Sequence, residues 1–429
     1  MQVVQRKKLQ TSDSHWFIFL LLPFFASLTA LKNYRANWAK NVVWAFIVYY
    51  GFTFASAKES LDTADINRYV DDLKELYGRS LSFYDVLAIF KESGEADIVR
   101  TLIAVIVSRF SQSSSVLTAV YGFIFGFFFT RNIWYLLERL KGRLKGIVIF
   151  FLLVFFLIDP IWNINGFRFN TATLVFVYGA LPYLYENKKS RLVFCFISIL
   201  FHFSFLFPLA FLIIYIFAGN RKNVYFFFFI VSVFISNINI GQFNNFMEQN
   251  LPDIFLERSK NYREEDRVDE FREHDISIKV ERETGRFIKK NWYAVYYTRC
   301  LYWSLTVLLI GMYIFGKNIF AGSKWLLNGY CLSLLLFGAG NIMQSLPSGE
   351  RYKMIASLLT VSVIIFYLQN QDREKYISKL TSIVLPLLML FSLVSLRNGL
   401  YTISVNTIIG NPFFAMLTDY NLSLNDIIK

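Results

Sequence analysis

Trp162 to Pro208 reads WNINGFRFNTATLVFVYGALPYLYENKKSRLVFCFISILFHFSFLFP. Two apolar runs flank one short basic turn, Glu186-Asn187-Lys188-Lys189-Ser190-Arg191, and each run carries one residue ill suited to lipid. Arg168 opens the first run and His202 lies within the second. If the basic turn faces the cytoplasm, as such turns do, Arg168 sits at the far mouth of its helix. A second segment folded back along the first carries His202 toward the same side. The stretch therefore predicts a helical hairpin whose outer end holds a permanent cation and a titratable imidazole.

The second run, Leu192 to Phe217, has basic residues on both sides, Arg191 before it and Arg221-Lys222 after it. One straight helix would put one of these flanks outside. A broken or re-entrant hairpin near His202 to Pro208 leaves both inside. Non-helical backbone at membrane depth is tolerated only where it lines protein or a wet cavity, so the second form implies a cavity at His202.

The rest of the chain supports a membrane setting. It is 429 residues long, 55% hydrophobic and 19% aromatic, with only 17% charged residues and a mean hydropathy of +0.41. Several apolar runs approach the roughly 20 residues a helix needs to cross hydrocarbon, and the alternation of a membrane barrel is absent. These features predict an all-α polytopic membrane protein with about ten to twelve transmembrane or re-entrant helices. The formal charge of +13 is concentrated in short loops between apolar runs, as the positive-inside rule predicts, so it does not point to nucleic acid. Cys195, Cys300 and Cys331 lie in or beside apolar runs without a CxxC pair. Neither a disulfide framework nor a zinc site is expected.

Spans are predicted near residues 16–31, 41–57, 115–136, 147–162, 169–185, 224–240, 294–315, 325–344, 352–368 and 380–397. Trp16 to Leu31 lacks a small-residue cleavage site and reads as a retained helix. Lys32, Arg35 and Lys40 favour a cytoplasmic first loop, whereas Arg6, Lys7 and Lys8 argue for a cytoplasmic N-terminus. The later loops decide for the former: Arg131, Arg139, Lys141, Arg143 and Lys145 face Glu138 alone. Residues 58–98 carry twice as many acids as bases and read as external. We expect one integral membrane domain over 1–429, with an amphipathic extracytoplasmic segment at 58–114 and a large extracytoplasmic loop at 241–293. Within the former, apolar spacing after Asp65 predicts a surface helix, and the short run Ile98 to Phe110, with Arg100 and Arg109, reads as lying at the interface or dipping in without crossing. The tail from Asn398 is placed outside.

Each candidate site residue has a plain structural alternative. Arg168 can snorkel to headgroups or, through its planar charged fork, clamp phosphate. His202 can be a neutral imidazole bonded to a helix carbonyl. Ionisable groups within membrane segments are costly, however, and by default mark function, here as a base or a donor to a leaving phosphate. Arg351 and Lys353, beside Ser348-Gly349, either flank a span or form an anion site at a helix start. Asp65 with Arg68-Tyr69 either belongs to an amphipathic helix, or orients a sugar hydroxyl or serves as a base. No His, Cys or carboxylate lies at ligand spacing near His202, so we expect neither a metal nor a cofactor.

Three of these constellations resemble the EpsG family of Wzy-like polysaccharide polymerases: Asp65 with Arg68-Tyr69, Asn165-Gly166-Phe167-Arg168, and Phe201-His202-Phe203-Ser204. The spacing of Arg168, ten residues and Gly179 also resembles a Wzy pattern. Two departures stand out. Asp62-Thr63-Ala64-Asp65 replaces the family's Gly-x-Asp-Tyr, and Phe169 replaces the Gln that often follows the arginine. The resemblance implies a GT-C-like architecture and an enzyme of the bacterial inner (cytoplasmic) membrane. Its partners would be an undecaprenyl-diphosphate-linked oligosaccharide donor and acceptor, membrane lipids and a chain-length regulator. On this basis His202, Arg168 and Asp65 would be catalytic, and Arg351, Arg68, Tyr69, Asn165 and Lys353 would bind substrate. The competing classes are a glycan flippase, which should show paired interrupted helices in two repeats, an O-antigen ligase and a membrane acyltransferase.

Overall fold

The computed structural model describes residues 14–55, 65–79, 84, 98–235, 292–316, 320, 322–344, 349–370, 375–418 and 422–428. Among them the regular structure is helical. In chain order the helices are α1 (Ser14–Leu21), α2 (Pro23–Lys32), α3 (Ala39–Phe52), α4 (Asp65–Leu76), α5 (Ile98–Val107), α6 (Ser114–Leu137), α7 (Gly146–Ile158), α8 (Phe167–Glu186) and α9 (Leu192–Phe201). They continue with α10 (Leu206–Ala218), α11 (Lys222–Ile235), α12 (Trp292–Phe315), α13 (Lys324–Met343), α14 (Tyr352–Asn370) and α15 (Lys375–Gly399). Short helices α16 (Val405–Ile409), α17 (Pro412–Leu417) and α18 (Leu424–Ile428) follow.

Among the described residues, six helical stretches are long and apolar enough to cross a membrane, and the 41-residue stretch Gly146–Glu186 among them contains both α7 and α8. The fold is the all-α polytopic membrane class that the sequence predicts. The first predicted span is interrupted at Leu22, because Pro23 opens α2 and a proline at a helix start has no N–H to give to the turn before it. The predicted loop at 241–293 lies outside the described residues up to 291, as do 58–64, 80–83 and 85–97 of the acidic segment.

The chain gathers into two compact units, Met1–Leu209 with Leu396–Lys429, and Ala210–Ser395. In the first, α3 and α6 pack antiparallel with their backbones close together. A Cβ on Gly51 would lie 2.3 Å from the Thr118 carbonyl oxygen, and one on Gly122 would lie 2.7 Å from that of Ile47. Gly126 receives the Ile47 side chain in the same way. In lipid there is little hydrophobic drive between helices, so small residues that permit close packing take its place.

The three basic loops meet at one end of this unit. Trp134 Nε1 donates to the Tyr34 carbonyl at 3.0 Å, Lys40 lies 3.6 Å from Glu138, and the Arg35 guanidinium reaches the Gly142 carbonyl. Arg139 pairs with Glu186 at the C-terminus of α8, its Nε donating at 2.6 Å, and Lys188 joins the same carboxylate at 2.6 Å. The opposite end collects α4, the 3-10 turn Ile161–Gly166 and the C-terminal stretch. There Tyr50 Oη donates to Thr402 Oγ1 at 2.8 Å and Tyr49 Oη to the Asn406 carbonyl at 2.6 Å.

In the second unit, α13 lies between α11 and α14. Asn341 Nδ2 donates to Ser232 Oγ at 3.0 Å, and Tyr330 Oη donates to the Leu309 carbonyl at 2.8 Å. The 3-10 turn Gly349–Arg351 leads directly into α14.

Candidate functional site

The α8–α9 hairpin forms as the sequence predicts. Asn187 ends α8 in the left-handed conformation, φ 56°, which asparagine tolerates better than most residues. Its N–H turns back to the Tyr183 carbonyl at 2.9 Å. The two helices then press together at Gly179, where a Cβ would lie 2.8 Å from both the Arg191 carbonyl oxygen and Cys195 Sγ. The glycine eleven residues after Arg168 is therefore the contact point of the hairpin. It draws α9 along α8, so the end of α9 arrives at the start of α8.

At that end the helix breaks. His202 is extended, φ −152° and ψ 116°, between α9 and the 3-10 turn Phe203–Phe205. Its Nδ1 accepts from the Ser204 backbone N–H at 3.3 Å and lies 2.7 Å from Ser204 Oγ. The imidazole thus caps the next helical turn, which compensates for the interruption. An acceptor at Nδ1 places the proton of the neutral ring on Nε2. The His202 ring stands edge-on to Phe169, 5.4 Å between centroids, so it abuts the residue next to Arg168.

Arg168 sits in the first turn of α8, half-buried. Its Nε donates to Tyr69 Oη at 2.9 Å, and its guanidinium carbon lies 5.7 Å from that ring's centre. Tyr69 is 2% exposed and projects from the inner face of α4 with Ile66 and Leu73, whose spacing is the amphipathic pattern the sequence predicts after Asp65. Asn165 ties the same helix to the hairpin, its Oδ1 accepting from the Ile66 N–H at 3.4 Å. Asn165 thus links α4 to the turn that carries Arg168.

Other predicted residues are placed differently. Asp65 is the first residue of α4, and its side chain lies outside the described residues. Arg68 is exposed on the other face of α4 from Tyr69. Arg351 and Lys353 belong to the second unit: Arg351 is exposed at the entrance to α14, as the sequence predicts. Lys353 is 6% exposed, with its Nζ bonded to Gln344 Oε1 and 5.2 Å from the centre of the Tyr302 ring.

Two site residues escaped the sequence reading. Arg100, expected as interfacial, is 7% exposed, paired with Asp72 and stacked 5.0 Å from the Tyr69 ring centre. Burial of an arginine is costly unless it is paired, and the Asp72 carboxylate one turn along α4 from Tyr69 supplies the partner. Tyr121 of α6 meets Tyr69 edge-on at 5.9 Å and stacks on Phe167 at 4.0 Å. Its buried hydroxyl has no hydrogen-bond partner among the described residues. An arginine inside the apolar run 98–110 was the available signal for Arg100; nothing in the sequence marked Tyr121.

Fold and site together define a multi-pass helical membrane protein with an aromatic-walled cluster of arginines at one end of a helical hairpin. The chain matches the EpsG family over residues 42–404 and belongs to it. It is thus a membrane protein of the Wzy-like polysaccharide-polymerase type. No curated protein and no solved structure matches the chain.

Proposed function

We propose that this protein joins oligosaccharide repeat units carried on undecaprenyl diphosphate, by metal-independent glycosyl transfer at the extracytoplasmic face of the bacterial inner membrane. The observation that carries this reading is the α8–α9 hairpin: it sets Arg168, held by Tyr69, and His202, against Phe169, at the end remote from the basic loops. The positive-inside rule assigns those loops to the cytoplasm, and the hairpin's other end then faces outward.

The chemistry follows from the residue types. The acceptor hydroxyl oxygen attacks the anomeric carbon of the donor sugar, the bond from that carbon to the diphosphate oxygen breaks, and its electron pair leaves on the diphosphate. Arg168 neutralises the charge that grows there; a preorganised donor aimed at such charge is worth roughly 2.7–4 kcal/mol. His202, with Nδ1 committed to Ser204, offers Nε2–H and serves better as a hydrogen-bond donor to the leaving diphosphate than as a base. The acceptor's proton then falls to a carboxylate, and Asp65, four residues ahead of Tyr69, is the residue we assign to it. Arg351 and Lys353 remain expected substrate contacts of the second unit.

The test is polymer formation in a strain lacking its own copy of the gene, complemented at matched membrane abundance with wild type, Arg168→Ala or His202→Ala. A glycan ladder from wild type and a single repeat unit from both variants is the expected result. Ladders of normal length from both variants would return Arg168 and His202 to structural roles and reopen the flippase reading.

A further inference from the structure

The side of α4 that carries Asn67, Val70, Asp71 and Lys74 borders a second feature. A cavity of about 390 Å³ lies between α4, the end of α3 and the start of α6, lined by Phe54, Ile66, Asn67, Val70, Asp71, Lys74, Ser114, Ser115 and Thr118. It shares Ile66 with the hairpin site, since that residue's N–H is the one held by Asn165. Its volume falls within the roughly 300–1,000 Å³ of small-ligand sites.

The two faces of α4 use their polar residues differently. On the inner side Tyr69 is bonded to Arg168 and Asp72 is paired with Arg100, while farther along Glu75 meets Arg79 at 3.0 Å. Asn67, Asp71 and Lys74, which line the cavity, make no side-chain hydrogen bond or ion pair among the described residues. The lining contains one acid and one base, so it has no net charge to select a diphosphate. It offers a carboxylate, an amide, an ammonium and two serine hydroxyls over the apolar side chains of Phe54, Ile66 and Val70. Alternating hydroxyl and C–H surfaces are what a pyranose presents, and mixed hydrogen-bonding groups over an apolar floor are complementary to them.

We infer that this cavity is a saccharide-binding subsite, distinct from the arginine cluster, that holds sugar units of the glycan acceptor beside the reacting centre. The inference rests on the polymerase reading for the source of the sugar, but not for the binding itself. It is tested with purified full-length protein in nanodiscs and, as probe, the oligosaccharide released by mild acid from the host's own lipid-linked repeat units. Saturation-transfer NMR reads its affinity for wild type, Asp71→Ala, Ser115→Trp and Arg168→Ala. Asp71→Ala removes a hydrogen-bonding group; Ser115→Trp fills the cavity from its wall. Both should weaken binding at least about tenfold, the loss of about 1.4 kcal/mol expected for one or two hydrogen bonds, while Arg168→Ala binds this lipid-free probe like wild type. Equal affinity in wild type and Ser115→Trp overturns the subsite, as does loss of binding in Arg168→Ala alone. Binding that Ser115→Trp abolishes, in a protein whose Arg168→Ala variant still builds full ladders, would keep the subsite and discard the polymerase mechanism.

Discussion

The two ends of the first unit use the same residue types to different effect. At the basic-loop end, Arg139 and Lys188 converge on the Glu186 carboxylate and Lys40 lies beside Glu138. Charges there join loops to helix ends, and the Arg139 fork is spent within the protein, on the Glu186 carboxylate and the Tyr135 carbonyl. At the opposite end, Arg168 is fixed through Nε by a buried phenol, inside a wall formed by Tyr69, Tyr121, Phe167 and Phe169. Position and orientation are specified there, and the planar fork matters. The difference teaches that arginine content says little about site location in a membrane protein, whereas the chemistry of an arginine's neighbours says a good deal.

The sharpest way to break this comparison is the same conservative change at both ends. Arg168→Lys should lower polymer formation about 10²- to 10³-fold, because a lysine cannot reproduce the fork. Arg139→Lys should leave the ladder unchanged in the same complementation assay. Equal tolerance at both ends would dissolve the distinction.

Gly179→Leu comes next. A side chain there meets the Arg191 carbonyl and Cys195, so α9 must move away from α8, at a cost of about 1–3 kcal/mol for overpacking. Thermal unfolding of the detergent-solubilised protein should register the loss, with activity falling as His202 shifts from Phe169. An unchanged midpoint would show that the hairpin does not depend on this contact.

Smaller still is Ser204→Ala, which deletes the hydroxyl on His202 Nδ1 but retains the backbone N–H. Losing one such bond costs about 1 kcal/mol, so turnover should fall several-fold; single-turnover glycosyl transfer would measure it. A variant with wild-type turnover would separate the imidazole's role from its tautomer. The least effect is expected from Glu186→Gln. Partly exposed ion pairs contribute about 0–1 kcal/mol, so the unfolding midpoint should barely move and the ladder should persist.

Much of the architecture was legible because lipid imposes a simple rule: apolar runs of sufficient length become helices, and basic loops gather on one side. The predicted span at 169–185 became α8 at Phe167–Glu186, and that at 115–136 became α6 at Ser114–Leu137. Arg168 and His202 were legible as polar exceptions in apolar runs, and their shared end followed from the short turn between them. The pairing of Arg100 was not legible because its partner Asp72 is 28 residues away, and no local pattern reveals a pairing across two helices. Tyr121 was invisible because one tyrosine in an aromatic-rich helix resembles any other.

The sequence by itself therefore determined the class, long spans such as α6 and α8, the hairpin and the family, since each depends on composition and spacing along one stretch of chain. Only the tertiary structure decided that Tyr69 holds Arg168, that Arg100 and Asp72 stand behind it, that Gly179 is a helix contact and that α4 borders a polar cavity. These depend on which faces of separate helices meet, and side-chain packing in three dimensions fixes that, not hydropathy along the chain.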